Sequence, residues 1–145
     1  GILAAIAIPN LLTAMQRAKQ KRTMADMRTI ATAWEARATD VNRYSAAGGV
    51  TIPTTVLTNA NMDKILSPTY IKSLPPNDGW GNPWVYDADQ ALGSSIAAQQ
   101  YAITSYGRDG KAEGTPVGKA TTNFDCDIIY SQGGFLQYPE GVQQQ

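Results

Sequence analysis

The chain opens with GILAAIAIPNLL, 12 residues without a charge and with Pro9 inside an otherwise helix-forming run. Beyond Pro9 the apolar residues keep helical spacing, since Met24, Met27, Ala31, Trp34, Ala38 and Val41 fall alternately three and four residues apart. After Gly1 no glycine interrupts the segment before Gly48 and Gly49. The pattern predicts one helix from Ile2 to about Thr39, roughly 40 residues and ~60 Å long at ~1.5 Å per residue, where an ordinary globular helix has ~11–12 residues. Pro9 should bend it, because the ring removes a backbone donor and crowds the preceding turn.

That length constrains everything else. The C-terminal part can lay its Met/Trp stripe on a core, but the N-terminal part outruns anything the chain could pack against it. At ~25 cal/mol per Å², several Leu and Ile side chains left in water would cost many kcal/mol, so this segment needs lipid or copies of itself. Alone it is too short for a bilayer, which takes ~20 apolar residues. It also lacks the basic region and small-residue break of a signal peptide. Folding back as the core helix of an ordinary α+β domain is opposed by Arg17, Lys19, Lys21 and Arg22, which occupy all sides of the next turns. Lys+Arg and Asp+Glu each total 12, yet between Thr13 and Arg28 five basic residues face Asp26 alone. The order is apolar, basic, then mildly acidic, and a basic ring suits a layer of lipid headgroups. The natural division is residues 1–22 as membrane or filament segment and residues 23–145 as head.

The chain has no histidine and one cysteine, Cys126. That excludes Ser-His-Asp and Cys-His catalysis, an internal disulfide and a zinc cluster. No clustered acid–base pair is visible, so the reading is a structural protein, not an enzyme. The basic run is not interleaved with aromatics, and no nucleic acid is expected as a partner.

Past the glycines, a short helical turn is expected over NMDKIL, then the punctuated stretch SPTYIKSLPPNDGWGNPW. Strand signals follow at residues 83–87 and 100–106, and residues 127–131 and 134–138 read as a hairpin around Gln132-Gly133. Short meandering strands predict antiparallel pairing, and the tail GVQQQ reads as frayed. Trp80 and Trp84 read as covering the sheet edge and pinning the Pro/Gly loop rather than as a sugar or base platform. Cys126 reads as a buried structural cysteine, because neighbouring carboxylates disfavour its thiolate.

Two sets of residues carry a family resemblance. GILAAIAIPNLL followed by a polar helix resembles the second half of the apolar N-terminus of type IV pilin-like proteins, with Pro9 at their kinking proline. Further on, SPTYIKSLPPNDGWGNPWVY and YAITSYGRDGKAEG are similar to the Trp-Gly-Asn-Pro loop and the glycine-aspartate turn of the major pseudopilin of type II secretion. Here Pro76, the run from Gly79 to Trp84 and the run from Ser105 to Gly110 hold those places. The connections over 88–99 and 110–127 are longer than that pattern, and the final hairpin is an addition to it.

The resemblance implies an α+β, pilin-like fold, a long N-terminal α-helix packed on a small antiparallel β-sheet. It implies that about a dozen residues precede Gly1, with an N-methylated aromatic and a glutamate, which would bring the apolar run to the ~20 of a membrane span. It implies a single-pass protein of the bacterial inner membrane with its head in the periplasm. A prepilin peptidase would remove the leader. An inner-membrane assembly platform would then extract subunits into a helical homopolymer with minor pseudopilins, a periplasmic pseudopilus that drives protein export. Ile2, Leu3, Ile6, Ile8, Pro9, Leu11 and Leu12 would lie in membrane and then in the filament core, and Arg17, Lys19, Lys21 and Arg22 would face headgroups. The alternatives are the major pilin of an extracellular surface pilus for adhesion or motility, a DNA-uptake pilin, or a membrane-anchored enzyme.

The resemblance also implies calcium as a cofactor, in the loop after the second long strand. Calcium takes about six to eight hard oxygen ligands. Asp109 would be the first carboxylate and the Tyr106 carbonyl the backbone ligand. Asp125 and Asp127, two apart and so on one face of a strand, are candidates for the second carboxylate, with Glu113 a further one. Without the resemblance, Asp109 reads as an ordinary turn residue and the other two as solvated. A metal clip would stand in for the missing disulfide.

Overall fold

A computed structural model of the chain describes residues 2–41, 57–89, 98–113 and 119–140, with residues 2–10 as helix backbone. The glycines expected to end the helix, Gly48 and Gly49, most of the 88–99 connection and the tail 141–145 lie outside the described residues, as do the side chains of Ile2, Leu3, Ile6, Ile8 and Pro9. The uninterrupted run of helix formers folds as α1, Ile2–Val41, 40 residues long and continuous through Pro9. Its buried face contains Gln20, Thr23, Met27, Ile30, Ala31, Trp34 and Arg37. The Met/Trp stripe thus faces the core at Met27, Ala31 and Trp34, while Ile30 and Ala33 broaden it to the width an amphipathic helix needs.

A second helix, α2 (Asn59–Leu66), starts at Thr58, whose side chain accepts the Asn61 N–H at 3.2 Å and so satisfies one of the free donors of the first turn. Met62, Ile65 and Leu66 point into the core at helical spacing. Among the described residues five strands follow: β1 (Val85–Ala88), β2 (Tyr101–Ser105), β3 (Ala120–Thr121), β4 (Ile128–Ser131) and β5 (Gly134–Pro139). They lie in the order β1-β2-β4-β5-β3. Strands β1, β2, β4 and β5 pair antiparallel in sequence. The β4–β5 hairpin turns through Gln132 and Gly133, with φ of 48° and 93°, the two-residue left-handed turn that matches strand twist.

The expectation of antiparallel pairing throughout is corrected at one edge, where β3 pairs with β5 in parallel. A strand of two residues has no period to read, and its partner is set by the crossover that brings it beside β5.

The helix docks on the sheet through Trp34, fully buried, whose ring lies 4.8 Å from that of Tyr101 and 6.1 Å, edge-on, from that of Tyr86. Each of these tyrosines finds a partner for its hydroxyl, as buried amphipathic rings require. Tyr101 donates to the Glu35 carboxylate, and Tyr86 donates to Asn59 Oδ1 at 2.6 Å. Arg28 lies over the Phe135 ring at 5.2 Å and ties the hairpin to the helix.

Candidate functional site

The two motifs of the central and C-terminal sequence form one unit beside α1. Asp78, 2% exposed, is its hub. Asp78 Oδ1 accepts the backbone N–H groups of Trp80 at 3.0 Å and Asn82 at 2.9 Å, and Oδ2 accepts the Ser105 hydroxyl at 2.6 Å. Ser105 Oγ in turn accepts the Gly107 N–H at 3.2 Å, and Asn82 Nδ2 donates to the Gly107 carbonyl at 2.9 Å. The loop is thereby fastened to the turn after β2.

The same loop is fastened to the helix. Gly79 N–H donates to Thr23 Oγ1 at 2.8 Å, and that hydroxyl donates to the Lys19 carbonyl at 2.7 Å. Trp80 Nε1 donates to Gln16 Oε1 at 2.7 Å. Trp80 and Trp84 both pin the loop, Trp84 through its Nε1 donating to the Pro75 carbonyl at 3.0 Å, but Trp84 is 4% exposed and lies in the core rather than over the sheet edge. The head therefore reaches the helix as far back as Gln16. A Cβ on Gly79 would stand 2.3 Å from the Lys19 carbonyl oxygen, backbone that cannot yield. Gly79→Ala is accordingly expected to destabilise by about 1–3 kcal/mol, read as a lower melting temperature in thermal unfolding.

Just N-terminal to that contact, over residues 11–15, the helix is largely exposed. Leu11, Leu12 and Met15 are 59%, 57% and 46% exposed. Of the basic cluster, Arg17 and Lys19 are half-buried while Lys21 and Arg22 are exposed, with Arg22 3.7 Å from Asp26. Among the described residues no helix is long and apolar enough to cross a membrane.

The candidate cation loop is formed by residues 105–113 and 123–127. Asp125 and Asp127 do not share a strand face: β4 begins only at Ile128, and the preceding residues turn, with Cys126 N–H donating to the Asn123 carbonyl at 3.2 Å. The carboxylates consequently diverge. Asp127 turns inward and is 3% exposed. Its Oδ2 accepts the Glu113 N–H at 3.1 Å, while Oδ1 is buried without a hydrogen-bond partner. Burial pushes its pKa up to about 6, with the charges of Glu113 and Asp109 adding to the rise and the Glu113 N–H opposing it.

Asp125 turns outward into a two-pronged pair with Arg108, Nε donating to Oδ1 at 2.7 Å and Nη2 to Oδ2 at 2.9 Å. These bonds hold its carboxyl below the usual range. Asp109 caps its own turn, Oδ1 accepting the Lys111 N–H at 3.0 Å, and half-buried Tyr106 follows β2 where that turn begins.

Glu113, a minor candidate in the sequence, and Gln137, which the sequence did not single out, both hold Asp127 in place. Glu113 Oε2 accepts the Asp127 N–H at 3.2 Å and Gln137 Nε2 at 2.5 Å, and Gln137 Nε2 also donates to the Asp127 carbonyl at 2.8 Å. Gln137, fully buried, lies one strand repeat beyond Phe135 in β5, and that alternation was the available signal. Cys126 is half-buried rather than buried, its thiol pushed up by burial and by the nearby Glu113, which keeps thiolate scarce. Among the described residues, no three His, Cys, Asp or Glu side chains converge as a metal-binding group.

The family model for type II secretion system protein G matches residues 10–123. No curated protein and no solved structure matches the chain. The long helix on a mostly antiparallel sheet is the pilin-like arrangement, and the chain belongs to the type II secretion system protein G family, the major pseudopilins. It is a pseudopilin subunit, a structural component that works within a secretion assembly facing the periplasm, in a family not known for catalysis.

Proposed function

We propose that this chain polymerises into a helical periplasmic pseudopilus whose growth drives protein export. The observation that carries the reading is the apolar side chains at residues 11–15 of α1, where Leu11, Leu12 and Met15 are exposed to water that a monomer gains nothing by touching. Repeating one head-to-tail contact between copies yields an open filament rather than a closed ring. In this reading Ile2, Leu3, Ile6, Ile8, Pro9, Leu11 and Leu12 lie in the inner membrane before assembly and in the filament core after it. Arg17, Lys19, Lys21 and Arg22 meet lipid headgroups. The partners are the prepilin peptidase, the inner-membrane assembly platform and minor pseudopilins.

The test is Leu12→Lys in the full-length protein, expressed with the secretion machinery. Filaments counted by electron microscopy should fall at least tenfold while the protein accumulates normally. Filaments at wild-type number would overturn the reading.

Calcium is the proposed cofactor. Asp127 supports it: a buried carboxylate oxygen without a donor is costly unless a cation meets it. Asp127 and Asp109, with the Tyr106 carbonyl, would hold the ion, and bound calcium would supply a rigid link across the loop. The melting temperature should rise with the logarithm of free calcium over a chelator baseline. Asp127→Asn should remove the rise, and an unchanged rise in that variant would exclude the site.

A further inference from the structure

The reading of a calcium loop leaves Arg108 unexplained. It is attached to the opposite segment at three points. Its backbone N–H donates to the Phe124 carbonyl at 2.9 Å, its guanidinium lies 5.6 Å from the Phe124 ring centre, and its two-pronged pair engages both oxygens of Asp125. Residue 107 allows this close approach only as glycine, with φ of 72° and a hypothetical Cβ 2.6 Å from the Cys126 carbonyl oxygen. The two segments that Arg108 joins are the two that flank Asp127.

Resting on the calcium reading above, we infer that Arg108 is an affinity-setting residue of this loop, a built-in cation that withholds Asp125 from the ion and latches the loop without it. Both carboxylate oxygens of Asp125 are occupied by guanidinium N–H groups, a geometry that fits carboxylate better than any single-point contact. For Asp125 to ligate calcium, that pair must break. The chain therefore exchanges calcium affinity for order that persists in chelator.

The experiment compares wild type, Arg108→Ala, Asp125→Asn and the double variant as full chains, by calorimetric titration with calcium and by amide exchange over residues 106–113 and 123–127 in chelator. Arg108→Ala should bind calcium more tightly, on the order of tenfold, and should lose amide protection in chelator that calcium restores. Asp125→Asn alone should leave the dissociation constant unchanged, and in the double variant it should cancel the gain. A merely structural latch moves the constant the other way, since losing it disorders the site and weakens binding.

Loss of binding in Asp125→Asn alone would overturn the inference, because Asp125 would then be a ligand in the native loop. Equal calcium affinity in wild type and Arg108→Ala would also overturn it while leaving the calcium reading intact. No calcium binding by any variant would overturn both.

Discussion

Asp78→Ala is expected to cost about 3–5 kcal/mol of unfolding free energy in chemical denaturation. The side chain is 2% exposed, and its removal strands two backbone N–H groups, of Trp80 and Asn82, and the Ser105 hydroxyl. Each buried donor left without an acceptor costs ~1–3 kcal/mol, and the loop is too tightly fastened for water to replace them all. The consequence spreads in two directions. Toward the sheet, Ser105 loses the anchor through which it accepts the Gly107 N–H, so the candidate cation loop loosens. Toward the helix, Gly79 and Trp80 lose the geometry that presents their N–H groups to Thr23 and Gln16. Asp78→Asn keeps one carbonyl oxygen for the backbone donors and should cost roughly half as much. A variant Asp78→Ala as stable as wild type would mean that the loop holds itself through Trp84 and the prolines alone.

Asp78 also marks where sequence reading stops. The long helix is legible because its stripe is local, with Met27, Ala31 and Trp34 at helical spacing and no glycine to break it. The four longer strands are legible from β-formers between turn signals, and the hairpin from Gln132-Gly133. Asp78 is invisible to such rules because its partner Ser105 lies 27 residues away, and nothing local separates it from a solvated turn aspartate. The divergence of Asp125 and Asp127 is hidden for a related reason. Two-residue spacing implies a common face only on a strand, and the chain turns there because Arg108 and Glu113 draw the carboxylates in opposite directions. The motifs mark the segments that meet beside α1, and the side-chain partners within them depend on contacts made across the fold.

Trp34→Ala is the second large expected effect, about 3–5 kcal/mol, again by chemical denaturation. Trp34 is fully buried between the rings of Tyr86 and Tyr101, and it joins α1 to the two strands at the β1 side of the sheet. Truncation leaves a cavity that two tyrosines cannot collapse into, because Tyr86 is held by Asn59 and Tyr101 by Glu35 through their hydroxyls. Trp34→Phe retains a ring and should cost less than half as much. The contrast that gives the measurement its meaning is Leu12→Ala on the same helix. Leu12 is 57% exposed, so its truncation should change unfolding by less than about 0.5 kcal/mol. One helix then carries apolar residues of two kinds, those at Trp34 and around it that fold the head and those at Leu11, Leu12 and Met15 that the head does not use. If Leu12→Ala destabilised the monomer as Trp34→Ala does, Leu12 would belong to the fold of the head, and nothing would reserve it for contact with other copies.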